Sequence, residues 1–259
     1  MSDVILKCDK ITMKFGGLTA VNQLSIEVNE HMIFGIIGPN GAGKTTAFNM
    51  ITGNLTPTSG QIIFYGTNIT GMKPYKIVSL GMARTFQNIR LFSNLSVIEN
   101  VLTGFHHKLK YNLIDAILRT PRFYKYEKQM REEAMMLLES VGLADKADYR
   151  ASELPYGERR KVEIARALAT GPKMLLLDEP AAGMNPQETL NLMYFIQEIK
   201  DRFNLTILLI EHDMKFVMNL CERIAVLDHG VKIAEGKPEE IQKNPDVIRA
   251  YLGDFHANG

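Results

Sequence analysis

The sequence predicts an α/β fold: a mostly parallel sheet with antiparallel β additions and an inserted helical subdomain. Three observations predict it. Strand-like runs alternate with helix-like stretches toward both ends of the chain, as parallel strands joined by crossover helices do. The continuous apolar run MIFGII, Met32 to Ile37, ends in a glycine turn that leads into a helix-like stretch. From about Asn88 to Thr170 strand signals give way to helix signals.

The elements follow in order. ILKCDKITMKF, ending at Phe15, and LSIEV, where Leu24, Ile26 and Val28 alternate, read as strands. MIFGII reads as a strand buried on both faces. It breaks at Gly38-Pro39-Asn40-Gly41, and Lys44 to Ile51 then reads as a helix stopping at Gly53. QIIFY, Gln61 to Tyr65, and MARTF, Met82 to Phe86, are further strands. Ser96-Val97-Ile98-Glu99 is a capping box that opens the helical region, whose longest stretch is Tyr124 to Val141. Strands return in MLLLD, Met174 to Asp178, and LTILLI, Leu205 to Ile210. Between them Asn185 can cap a helix, Pro186 suits its first position and Glu188 completes a capping box. RIAVLD and VKIAEG flank His229-Gly230 as a hairpin, and Asn244-Pro245 opens a last short helix. The expected organisation is one domain, with a core from residues 1–87 and 171–259 and a helical subdomain at 88–170.

Composition narrows the function. A chain of 259 residues with 46% hydrophobic and 23% charged residues can bury a core, so a disordered tail is excluded. The net charge of +1 supplies no field toward nucleic acid or anionic lipid, and no nucleic-acid partner is expected. Charges in MSDVILKCDK leave no apolar secretory segment, and no apolar run approaches the roughly 18–20 residues of a spanning helix. A membrane role must then run through a partner. Cys8 and Cys221 lie far apart in the chain with no CxxC spacing, so both read as packed, reduced thiols. His106-His107 has no acid or Cys nearby and reads as exposed helix, whereas Phe123, Tyr124 and Tyr126 read as packing within the helical region or docking a partner.

Gly38-Pro39-Asn40-Gly41-Ala42-Gly43-Lys44-Thr45 matches GxxxxGK[ST], with Thr46 following. Such glycines let backbone N–H groups close around phosphate oxygens, and the next helix adds its positive end. Lys44 would reach the outer phosphates and Thr45 would hold Mg²⁺. Met174 to Asp178 is a buried-type strand ending in the acid pair Asp178-Glu179, as a Walker B element requires. Asp178 would complete the Mg²⁺ coordination and Glu179 would polarise the attacking water. No NKxD guanine motif is present, which argues against a GTPase.

These motifs are joined, in order, by Gln87 in TFQN, by Leu154-Pro155-Tyr156-Gly157-Glu158 and by His212 in IEHDM. With them the chain resembles an ATP-binding-cassette (ABC) ATPase over nearly its whole length. The resemblance implies two cassettes packed head to tail around two ATP molecules, each held between one chain's glycine loop and the other's signature segment. It implies that Gln87 contacts Mg²⁺ and the attacking water, that His212 contacts the γ-phosphate and orients Glu179, and that Phe15 stacks on adenine. Gly157 and Glu158 would face the second cassette's ATP. The signature departs from LSGGQ, with Pro155 for the serine and Tyr156 for the first glycine, and Asn185 stands where an aspartate is usual. The helix ERRKVEIARALA that follows carries Arg159, Arg160 and Lys161, read as a solvated or phosphate-facing start.

LPYGERRKVEIARAL, DEPAAGMNP, KFGGLTAVN, VIRAYLG and the extended helical region look most like the ATP-binding subunit of branched-chain amino acid importers. The implied protein is a peripheral ATPase on the cytoplasmic face of the membrane. Its partners would be a second cassette, identical or related, the integral permease subunits and, indirectly, a substrate-binding protein. An ATPase of a lipid or lipopolysaccharide exporter would share every catalytic residue, and a soluble, non-transport cassette is the remaining alternative.

Overall fold

The computed structural model describes residues 4–108, 111 and 113–256. The chain forms two units, one from residues up to Arg84 and from Lys173 onward, the other from Thr85 to Pro172.

The first unit holds two sheets. β1 (Val4–Phe15), β2 (Leu18–Asn29), β4 (Ser59–Phe64) and β5 (Thr67–Asn68) form an antiparallel sheet in the order β2-β1-β4-β5. β2 begins six residues before LSIEV, because Phe15↔Leu18 already pairs it with β1. The other sheet has the order β10-β9-β3-β8-β7-β6, from β3 (Ile33–Ile37), β6 (Met82–Arg84), β7 (Met174–Asp178), β8 (Thr206–Ile210), β9 (Arg223–Asp228) and β10 (Val231–Gly236). All its pairs are parallel except β9 with β10, whose turn at His229 and Gly230 has positive φ at both residues, as a tight hairpin requires. β3, β7 and β8 are buried at every position, which explains their unbroken apolar runs. The expected α/β class with a mostly parallel sheet and antiparallel additions is what forms.

Register decides where the loops emerge. Ile36 of β3 pairs with Ile210 of β8, and Ile210 pairs with Asp178 of β7. Three strands therefore end side by side, and ligands of open parallel sheets bind beyond such carboxyl ends. α1 (Lys44–Ile51) and α2 (Pro74–Ser79) follow in the first part of the unit, and α7 (Pro186–Arg202), α8 (Met214–Leu220), α9 (Pro238–Gln242) and α10 (Pro245–His256) in the second. The expected capping box opens α7, with Asn185 accepting from the Glu188 amide. Phe34, Phe48, Phe64, Leu176 and Leu208 belong to the buried cluster at the centre.

The second unit contains α3 (Val97–Leu102), α4 (Leu113–Leu118), α5 (Pro121–Ser140) and α6 (Tyr156–Ala169). Ser96 and Glu99 form the expected capping box on α3, and Thr120 with Pro121 starts α5 three residues before the expected Tyr124. Gly104 lies where a Cβ would sit 2.4 Å from the Arg166 carbonyl oxygen, so only glycine permits this approach to α6. Tyr111 packs edge-on against Phe123 at 5.2 Å, and Phe123 against Tyr124 at 5.5 Å, so the aromatic group packs within the unit while Tyr124 stays exposed. His106 is exposed, and the His107 side chain lies outside the described residues.

Two expectations are corrected. MARTF is a strand only to Arg84, because Phe86 gives its amide to the Glu163 side chain instead of a neighbouring strand. Arg160 is not a solvated residue. It is fully buried, held by the Glu163 carboxylate and by two main-chain carbonyls.

Candidate functional site

At the carboxyl end of β3 the chain turns through Gly38, Gly41 and Gly43, all at positive φ, before α1 begins. A Cβ at Gly38 would lie 2.0 Å from the Leu227 carbonyl oxygen and one at Gly43 2.5 Å from that of Ala20. Side chains at these positions would push the loop off its supports, so the glycines allow a tight path. The turn between β9 and β10 braces it, with the Gly230 amide donating to the Ala42 carbonyl at 3.0 Å. Gly43 caps α1 without a side-chain hydrogen bond, so the helix N–H groups and its positive end face the loop.

Lys44 is 6% exposed, and its Nζ donates to the carbonyls of Gly38 at 2.7 Å and Pro39 at 2.8 Å. Burial lowers its pKa, opposed by the charges of Glu179 and Glu211. Around it Gly38, Pro39 and Ala42 are buried, Asn40, Gly41 and Thr45 are exposed, and Gly43 and Thr46 are half-buried.

Asp178 ends β7, and its Oδ2 accepts from Arg84 Nη2 at 2.6 Å. Arg84 also donates through Nη1 to Asn49 of α1 at 2.7 Å, which ties the acid to the helix that follows the loop. The next residue, Glu179, has φ +43°, a left-handed conformation uncommon for a side-chain-bearing residue and characteristic of functional turns. Its amide donates to the Ile210 carbonyl at 3.0 Å, so the reversal is anchored on β8. The reversal brings the Glu179 carboxylate to 3.5 Å from His212 Nδ1, with His212 half-exposed and Glu179 mostly covered.

Glu211 organises this corner. It is 1% exposed and accepts from the amides of Ala181 at 2.9 Å and His212 at 3.1 Å. Burial pushes its pKa up, against the lowering effect of those N–H donors. Its Oε2 is also 3.6 Å from His212 Nδ1, so the imidazole stands between two carboxylates. The glycine loop, Thr45, Asp178, Glu179 and His212 thus share the carboxyl end of the parallel strands of the first unit. Phe15, at the end of β1 in the same unit, is 48% exposed.

Gln87, Gly157 and Glu158 belong to the second unit. Gln87 has an exposed side chain, while its carbonyl accepts from Arg160 Nη2 at 2.8 Å. Gly157 and Glu158 occupy the first turn of α6, and Glu158 is paired with Lys146 at 2.6 Å. Sequence reasoning missed Arg84, Glu211, and the Arg160 and Glu163 pair. Glu211 carried a weak signal, an acid at the tip of an apolar strand just before His212.

Residues 21–182 match the ABC transporter family, and residues 231–257 match the family described as branched-chain amino acid ATP-binding cassette transporter. The chain is 48% identical over 254 residues to the high-affinity branched-chain amino acid transport ATP-binding protein LivG of Salmonella typhimurium, covering 98% of this chain and 100% of that protein. It is 46% identical over 254 residues to BraF of Pseudomonas aeruginosa, a protein of the same description, again covering 98% and 100%. Among solved structures, an ATP-binding cassette of an ABC transporter in its ADP conformation superposes with a TM-score of 0.85 at 34% identity, covering 97% of this chain and 100% of that one. By these family matches and by identity over nearly its whole length, the chain belongs to the ABC transporter family, among its branched-chain amino acid ATP-binding cassettes.

Proposed function

We propose that the chain is the ATP-hydrolysing, energy-coupling subunit of an importer for branched-chain or related amino acids. The observation that carries this reading is a buried cation, Lys44, inside a glycine loop at the same carboxyl end of the parallel strands as the Glu179 and His212 pair. The C-terminal family match at residues 231–257 favours import over lipid export.

In this reading the N–H groups of Gly38 and of residues 40–46 surround the ATP phosphates, Pro39 having none, and Lys44 exchanges its loop carbonyls for the outer phosphate oxygens. Phe15 offers an exposed ring to adenine. Thr45 and Asp178 supply a hydroxyl and a carboxylate, hard oxygen donors that fit Mg²⁺, and Gln87 would join them. When bound, the ion offsets charge on the phosphates. Glu179 takes a proton from the attacking water, and His212, held by Glu211, aims Glu179 and meets the γ-phosphate. Gly157 and Glu158 contact the ATP of a second cassette, identical or related.

The protein works at the cytoplasmic face of the membrane, bound to permease subunits that receive substrate from a binding protein. The segment from Ile89 to Leu95 is the docking surface. There the buried Asn100 holds the main chain of Phe92 at 2.9 and 3.1 Å and leaves its ring 55% exposed. Affinity capture from native membranes tests the assignment. The chain is expected to bring down permease subunits, and Phe92→Glu is expected to lose them while ATP binding persists. Capture without any membrane protein would overturn the transport reading.

A further inference from the structure

We propose that the buried Arg160 and Glu163 pair is a positioning device that makes the segment Phe86 to Arg90 and the start of α6 move as one body. The proposal rests on the role given above to Gln87. Arg160 and Glu163 are 0% and 1% exposed and pair at 2.7 Å. Two further donors of the guanidinium go to the segment: Nη1 to the Phe86 carbonyl at 2.6 Å and Nη2 to the Gln87 carbonyl at 2.8 Å. Glu163 Oε1 accepts from the Phe86 amide at 3.4 Å and the Arg90 amide at 3.3 Å. On the other side Arg160 Nη2 lies 3.4 Å from the Tyr156 hydroxyl, one turn earlier on α6.

A buried ion pair is a weak source of stability, since apolar residues of similar volume often do as well or better, whereas a planar fork fixes its partners' positions. The partners here are main-chain groups of a segment outside any sheet or helix, so α6 stands in for the missing ladder. Tyr156, which replaces a signature glycine, gives the device a contact at the residue next to Gly157. Displacement of Gln87 is then carried through Arg160 to the first turn of α6.

The test compares Arg160→Met/Glu163→Leu, a charge-free pair of similar volume, with Gln87→Ala and the parent in the membrane complex. The double variant is expected to keep its ATP Kd within about twofold, while its unfolding midpoint falls because main-chain groups of Phe86, Gln87 and Arg90 lose their partners. Its kcat should fall about tenfold or more. A double variant with parental kcat and parental transport beside a slowed Gln87→Ala overturns the device alone. A Gln87→Ala chain as active as the parent removes the role of Gln87 and the device with it. Should the double variant fail to fold, amide exchange in the parent decides. ATP is expected to alter exchange at Phe86, Arg90 and the first turn of α6 together, and a change in one of these regions without the other overturns the proposal.

Discussion

Arg84 donates from Nη2 to Asp178 Oδ2 at 2.6 Å, and the two side chains are only 9% and 6% exposed. Removing one partner of such a pair strands a buried charge, which typically costs about 3–5 kcal/mol. Arg84→Ala should therefore lower stability by about that amount in urea unfolding. Arg84→Ala/Asp178→Asn should regain part of the loss because no unpaired charge is left. A parental urea midpoint for Arg84→Ala would show that water screens Asp178 despite its burial.

Lys44 is a buried side-chain cation in the glycine loop. Lys44→Ala should remove a charge-assisted bond of about 1.5–3 kcal/mol and weaken ATP binding at least tenfold. Superimposable ATP titrations of variant and parent would remove Lys44 from the phosphate site.

Burial pushes the Cys8 thiol up to about 12 and raises Cys221 as well. The thiolate is the reactive form, so neither should be alkylated in the folded protein at pH 8. Both should label in denaturant, and mass spectrometry reads the difference. Labelling of the native chain at Cys8 would contradict the packing of β1.

Much of this site was legible because its chemistry constrains spacing. The glycine loop must join a strand to a helix, and α1 begins at Lys44 as the motif requires. The capping boxes at Ser96 and Asn185 were legible because they are local, three residues from cap to partner. Arg160 was misread for the opposite reason. An Arg-Arg-Lys run on a helix looks solvated, and nothing in it announces that carbonyls 73 and 74 residues earlier in the chain fill the fork. Arg84 and Glu211 escaped because their partners come from sheet register, which sets β7 beside β8 and β6 beside β7.

Glu211 gives a pH-dependent expectation. Its folded pKa is raised by burial, so its ionisation opposes folding. The stability it contributes is full below the unfolded Glu value near 4.3 and is lost as pH rises through the folded value. Glu211→Gln cannot ionise, so its stability relative to the parent should increase from pH 4 to pH 7. Urea unfolding at several pH values checks this, and a difference that does not vary with pH would show that Glu211 is not desolvated.

The most direct test of the account is phosphate release from ATP by the membrane complex carrying Glu179→Gln. The substitution keeps shape but removes the proton acceptor 3.5 Å from His212. Hydrolysis should fall by roughly 10²–10⁴ while ATP remains bound. Release at the parental rate, with ATP bound as before, would contradict the assignment of Glu179 and with it the mechanism built at the carboxyl ends of these strands.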